Sequence, residues 1–201
     1  MDEVILTSDW HITNKKDAKY VLSCIPKRSN LLLLGDLIDA GIDRGMNWLQ
    51  DNLTIQLKAL QWLLKHYHVL GYVLGNHEER IKKKIGLNPY TTLLGECETT
   101  EFGMNGRTIA MEHGSSAAQN ALKQLQDLAF INPNADVVAL GHNHTLGVFT
   151  FGGANKTQWI VRTGHLMNGQ AEYARKGIMH PKPAGYIRYS FDENYPEVVV
   201  V

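Results

Sequence analysis

The chain reads as one α/β domain over residues 1–201, a β-sandwich of mixed sheets flanked by helices. Two observations predict this. From residue 4 to residue 141, short apolar runs alternate with segments of helical period, the pattern of parallel strands buried by crossover helices. Beyond residue 141 the helical period stops and only strand-like runs remain, which predicts hairpins in a second or mixed sheet. At 201 residues, with 44% hydrophobic and 20% charged side chains, the chain has room for one sizeable core, and two full domains would be cramped.

The elements follow in order. Residues 4–6 form a short strand and 15–23 a short helix, and 31–34, four leucines in a row, form a strand buried on both faces. Leu49, Leu53, Leu57, Leu60 and Leu64 fall at helical spacing within 46–65, the clearest helix of the chain. Residues 68–75 are the third strand, and 77–85 continue as a helix. The stretch 91–107, rich in Thr, Gly and Asn, reads as irregular.

Residues 108–114 are the fourth strand. Ser115 or Ser116 then caps a helix with the stripe Ala118, Leu122, Leu125 and Leu128. Residues 136–141 are the fifth strand. The runs 146–151, 157–164, 185–191 and 198–201 complete the strands.

Bulk properties exclude several classes. Lys plus Arg equals Asp plus Glu at 20 each, so no global basic field argues for nucleic acid. Cys24 and Cys97 form no CxxC pair and suit a reducing compartment. The N-terminus MDEVILTSD lacks the basic flank and apolar run of a signal peptide, and no apolar stretch is long enough to span a membrane. A cytoplasmic domain is expected.

The polar residues then take on a pattern. Each of five strands is followed at once by Asp, Asn or His: Asp9-Trp10-His11, Gly35-Asp36 with Asp39, Gly75-Asn76-His77-Glu78, His113-Gly114, and Gly141-His142-Asn143-His144. Such strand ends converge at one rim of the sheet, where open α/β sheets bind ligands. In an extended segment residues i and i+2 face one side, so Asp9/His11 and His142/His144 each present two donors to one site. Imidazole mixed with carboxylate suits Mn, Fe, Zn or Ni better than calcium. The donors are too many for one tetrahedral ion. Two ions sharing the carboxylate of Asp36 would use them all.

These motifs, in this order from residue 9 to residue 144, resemble the calcineurin-like metallophosphoesterase superfamily, in a small single-domain form of phage or bacterial type. The resemblance implies that family's β-sandwich flanked by helices. It implies that Asp9, His11 and His144 hold one divalent transition-metal ion, that Asn76, His113 and His142 hold the other, and that Asp36 bridges them. It also implies hydrolysis of a phosphate ester by a metal-bridging hydroxide, with Mn²⁺ the metal expected under assay. Two such ions depress the pKa of a shared water and clamp the phosphoryl oxygens. His77 is then the general acid, and Asp39 the carboxylate that hydrogen-bonds it and keeps it cationic.

Departures from the family bear on substrate. In the Ser/Thr phosphoprotein phosphatase branch an arginine follows the second Asp of GDxVDRG, and another commonly precedes GNHE. Here those places hold Ala40 and Leu74. Sites that hydrolyse monoesters well usually supply such a guanidinium. A phosphodiester substrate, nucleotide or nucleic acid, is therefore favoured. A phosphomonoesterase or Ser/Thr-type protein phosphatase is the alternative enzyme, with Arg44, Arg80 or Arg162 restoring the clamp. A catalytically silent metal-binding scaffold is the non-enzyme alternative, against which the presence of His77 and Asp39 argues.

Other residues carry weaker signals. Asp39 or Asp43 alone reads equally as a turn former. His66, His68 and His180 read as structural histidines, while His165, just after a strand, is a candidate substrate contact. Arg80, Lys83 and Lys84 share a helical face that reads as solvated, with a contact to substrate phosphates as the other reading. Trp10 either stacks on a base or packs over the metal loop. The oligomeric state is not legible.

Overall fold

The structure, a computed structural model, describes residues 2–40, 46–114, 121–152, 156–169 and 182–201. Ten strands and five helices lie in the described residues: β1 (Glu3–Thr7), α1 (Lys15–Cys24), β2 (Asn30–Leu33), α2 (Met46–Leu64), β3 (His68–Tyr72), α3 (Asn76–Ile85), α4 (Thr91–Leu94), β4 (Glu101–Met104), β5 (Arg107–Glu112), α5 (Ala121–Ile131), β6 (Val137–Leu140), β7 (Leu146–Gly152), β8 (Thr157–Thr163), β9 (Gly185–Ser190) and β10 (Tyr195–Val200). No described helix is long and apolar enough to cross a membrane.

Two five-stranded sheets form, ordered β10-β9-β1-β2-β3 and β4-β5-β6-β8-β7. Both are mixed. Strands β1, β2 and β3 run parallel, as do β5, β6 and β8, while β9, β10, β4 and β7 pair antiparallel. The C-terminal strands divide between the sheets: the β7–β8 hairpin lies in the second, and the β9–β10 hairpin lies beside β1 in the first.

Alternation along the strands explains the layers. Leu31 and Leu33 of β2 pack with Val21 of α1 and Leu60 and Leu63 of α2. Leu32 and Leu34 face the other way, into the core between the sheets with Ile109, Val137 and Val161. In β6, Val137 and Ala139 point into that same core, whereas Val138 and Leu140 meet Leu125 and Leu128 of α5. The four leucines are thus buried because two layers flank their strand.

Two elements fall in the stretch that reads as irregular: α4 and the β4–β5 hairpin. The hairpin turns at Asn105 and Gly106, both with positive φ (50° and 72°), the geometry favoured for a two-residue hairpin loop. Trp10 is fully buried in the core beside α1 and α2, and its Nε1 donates to Thr7 Oγ1 at 2.9 Å, so it packs and does not stack on a ligand. His66 Nδ1 contacts the Trp62 and Leu63 carbonyls at 3.1 Å. Ser115, Ser116, Ala118, Asp43, Arg44 and His180 lie outside the described residues.

Candidate metal centre

The loops that leave β1 and β2 stay zipped together past the strands. Leu34 N donates to Thr7 O (2.8 Å), Asp9 N to Gly35 O (3.0 Å), His11 N to Asp36 O (3.0 Å) and Ile12 N to Leu37 O (2.9 Å). The chain here is not extended, however. Asp9, His11, Asp36, His142 and His144 have φ of 54°, 45°, 52°, 70° and 57°, in the left-handed region. The i, i+2 expectation for Asp9/His11 and His142/His144 is therefore corrected: each pair converges through left-handed turns, not through strand alternation.

That conformation costs a non-glycine residue roughly 1–2 kcal/mol. Such strain persists only where surrounding structure over-determines it, and it gathers at functional sites. Glycines complete the convergence. A Cβ on Gly35 (φ 84°) would lie 2.4 Å from Gly75 N, and one on Gly75 would lie 2.1 Å from Asp36 Oδ1.

Two clusters of acceptor atoms result. In the first, Asp9 Oδ1 stands 3.7 Å from His11 Nε2 and 3.3 Å from His144 Nε2. Asp9 Oδ1 and His11 Nε2 are buried and make no hydrogen bond. The other carboxylate oxygen of Asp9 accepts from His142 N at 2.9 Å and from the Ser8 hydroxyl. In the second cluster, His113 Nε2 stands 3.2 Å from Asp36 Oδ2, from His142 Nδ1 and from Asn76 Oδ1.

His113 Nδ1 donates to Leu34 O at 2.6 Å, which aims Nε2 into the site. The Asn76 carboxamide oxygen faces His142 Nδ1 and Asp36 Oδ2 as well as His113. Turning the amide over would give these acceptors a donor, with the oxygen then accepting from Arg80 Nη2 at 3.3 Å. A cation among the four atoms satisfies them equally.

Three triads of candidate ligands emerge: Asp9, His11 and His144; His11, Asp36 and His77; and Asp36, His113 and His142, the ligand atoms within each lying no more than 4.8 Å apart. Asp36 and His11 each belong to two of them, so the clusters form one connected centre. Its donors are imidazole, carboxylate and amide, a set that fits a divalent transition metal.

The charges are correspondingly coupled. Burial alone would push His113 down, yet the Asp36 contact and the Asp9 charge raise it to about 9. Burial would raise Asp36, but His113 holds it lowered. Asp9 is likewise buried, and His11 and His144 keep it well below the ordinary carboxylate range.

His77 sits beside this centre, its ring 4.8 Å from that of His11 and its Nε2 3.9 Å from Asp36 Oδ2. Its Nδ1 donates to the main-chain carbonyl of Asp39, not to the carboxylate as the resemblance implied. The Asp39 carboxylate is partly exposed and lies 3.9 Å from His11 Nδ1. Burial lowers the His77 pKa, and the Asp36 charge opposes that shift.

The remaining candidates are placed as follows. His165 is buried with its ring 5.4 Å from that of His144, but both nitrogens serve the main chain: Nε2 donates to Lys182 O (3.1 Å) and Nδ1 accepts from Met167 N (3.3 Å). Arg80 borders the second cluster through Asn76. Arg162 is buried in β8, and burial lowers its pKa.

Two residues were not singled out by the sequence. Glu78 is fully buried behind the site, where Oε2 accepts from Asp36 N (2.9 Å) and Gly75 N (3.0 Å) and Oε1 from Ile38 N (3.3 Å). Burial and the Asp36 charge push its pKa up to about 7. Tyr90, also buried, hydrogen-bonds Glu78 and accepts from Leu37 N at 3.1 Å. Glu78 is visible as the last residue of GNHE, but Tyr90 has no motif around it.

With this geometry in place, relatives can be compared. An archaeal phosphodiesterase has a TM-score of 0.57 at 13% identity, covering 99% of each chain. A single mutant of Vps29 from Entamoeba histolytica has 0.52 at 13%, covering 99% of this chain and 98% of its own. Vacuolar Protein Sorting 29 from Cryptosporidium parvum has 0.51 at 15%, covering 100% and 96%. These likenesses show the fold. No curated protein sequence matches the chain. The family model of the calcineurin-like phosphoesterase superfamily domain matches residues 3–179. The chain belongs to the calcineurin-like phosphoesterase superfamily.

Proposed function

We propose that the chain is a dinuclear metal-dependent phosphoesterase that hydrolyses phosphate esters, with nucleotide or nucleic-acid phosphodiesters favoured over monoesters. The observation that carries this reading is the connected centre of candidate ligand atoms, two of which, Asp9 Oδ1 and His11 Nε2, are buried with no hydrogen-bond partner. Buried polar atoms left unpaired are costly, so an arrangement built around them suits the binding of a metal cation.

Asp9, His11 and His144 would hold one ion and Asn76, His113 and His142 the other, with Asp36 shared. Two bound divalent ions supply Lewis acidity at the phosphoryl oxygens and a water acidified to near-neutral pKa. The chain's own residues do the rest. Leu34 O fixes the His113 tautomer, and Glu78 fixes the Asp36 backbone. His77, anchored through Nδ1, keeps Nε2 toward the site, where it would deliver a proton to the leaving alkoxide.

Ala40 and Leu74 supply no guanidinium to the site. One observation favours the monoesterase reading instead: the Arg80 guanidinium beside Asn76. The test is a Mn²⁺-reconstituted comparison of bis-nitrophenyl phosphate with nitrophenyl phosphate. A higher kcat/KM for the diester is expected, and a tenfold or greater preference for the monoester would move the chain to the phosphatase reading. No turnover of either, with metals bound, would leave a binding scaffold.

A further inference from the structure

A cleft of about 1000 Å³ opens from the second cluster at Asn76 and His113. This is ample for a nucleotide-sized group, since ligand pockets run to roughly 300–1,000 Å³. Val73, Leu74 and Met111 give it apolar surface for a ring or carbon chain. Its charge is uneven. Arg80 borders Asn76 at the inner end, while Glu98 and Glu112 line the cleft from the segment before β4 and from the end of β5. Lys83 is paired with Glu79 at 3.3 Å, so the second cation of the cleft is already matched.

Among the described lining residues, the unmatched cation is Arg80 at the inner end, so that end favours an anion. A polynucleotide places a further phosphate one nucleotide along, and tracks for it are positively charged. Here the described lining holds three carboxylates, Glu79, Glu98 and Glu112, against two cations. We propose that this cleft receives the substituent of a single-phosphate diester, one that is uncharged or carries an amino group, and that it disfavours a second phosphate. The inference rests on the phosphoesterase reading for the anchoring of the first phosphate, and it narrows the substrate class to small diesters.

The test uses Mn²⁺-loaded full-length protein and calorimetric titration with thymidine 3′-monophosphate and thymidine 3′,5′-bisphosphate. The bisphosphate should bind roughly tenfold more weakly, as two like charges nearby require. The double variant Glu98→Gln, Glu112→Gln should remove most of that gap. Equal or tighter binding of the bisphosphate, a gap that the double variant leaves unchanged, or no binding of either nucleotide would overturn the proposal. Turnover of bis-nitrophenyl phosphate by the same preparations separates the two readings. Binding as expected without turnover defeats the hydrolase and leaves the cleft assignment standing. Turnover with an indifferent cleft defeats only the narrower substrate class.

Discussion

Glu78 and Asp36 stand back to back: the buried Glu78 carboxyl accepts the Asp36 amide at 2.9 Å while the Asp36 carboxylate faces His113 at 3.2 Å. The same Glu78 oxygen takes the Gly75 amide, so one side chain ties the loop after β2 to the loop after β3. Glu78→Ala would strand these buried N–H groups. A loss of about 3–5 kcal/mol in stability and a 10–100-fold weaker affinity for metal are expected. Thermal unfolding with and without Mn²⁺ measures both. Unchanged metal affinity in a folded variant would show that Glu78 does not position the site.

The stability of metal-stripped protein should fall between about pH 6.5 and pH 9. The folded-state pKa of His113 is raised to about 9, above its ordinary value of 6.5. Its contribution is therefore fully present below pH 6.5 and is lost as pH rises through 9. The raised His113 and the lowered Asp36 describe one ion pair, so the effect is counted once, at up to about 3 kcal/mol. Tm measured in EDTA across this range should decline more shallowly for His113→Gln. Parallel slopes for the two proteins would remove His113 as the cause.

Asp39 contacts His77 through its main-chain carbonyl, so its side chain is dispensable for that contact. Asp39→Ala should therefore lower kcat by less than about tenfold, whereas His77→Ala should lower it by roughly 10²–10⁴-fold at unchanged metal content. The His77 loss should shrink on nitrophenyl esters, whose leaving group needs no proton. Steady-state kinetics on both variants decides. Equal losses would restore the carboxylate role, and loss of metal from His77→Ala would make it a ligand.

The succession of strands and helices along the chain was legible because apolar period distinguishes strand from helix, and the buried run Leu31–Leu34 could belong only to a strand covered twice. Asp9, His11, Asp36, Asn76, His113, His142 and His144 were legible as candidates because each follows a strand end, and strand ends share a rim. How Asp9/His11 and His142/His144 converge was not legible. Left-handed φ at non-glycine residues is imposed by tertiary contacts such as His142 N to Asp9 Oδ2, not by local preference. Tyr90 was hidden for a similar reason, since its hydroxyl meets Glu78 and Leu37 only once the loops fold together. The β4–β5 hairpin was a missed signal. Its Asn105-Gly106 pair is a strong short-range turn marker, here masked by the weak apolar alternation of β4.

The most direct test of the account is metal stoichiometry in the wild type and in Asp36→Asn. Asp36 belongs to two of the three candidate ligand triads, so replacing its carboxylate should undo the centre without removing the fold. Elemental analysis after Mn²⁺ loading and desalting should find two ions per wild-type chain and one or fewer in Asp36→Asn, with hydrolysis of bis-nitrophenyl phosphate lost in parallel. A wild-type chain that holds no metal and hydrolyses the diester fully in excess EDTA would contradict it.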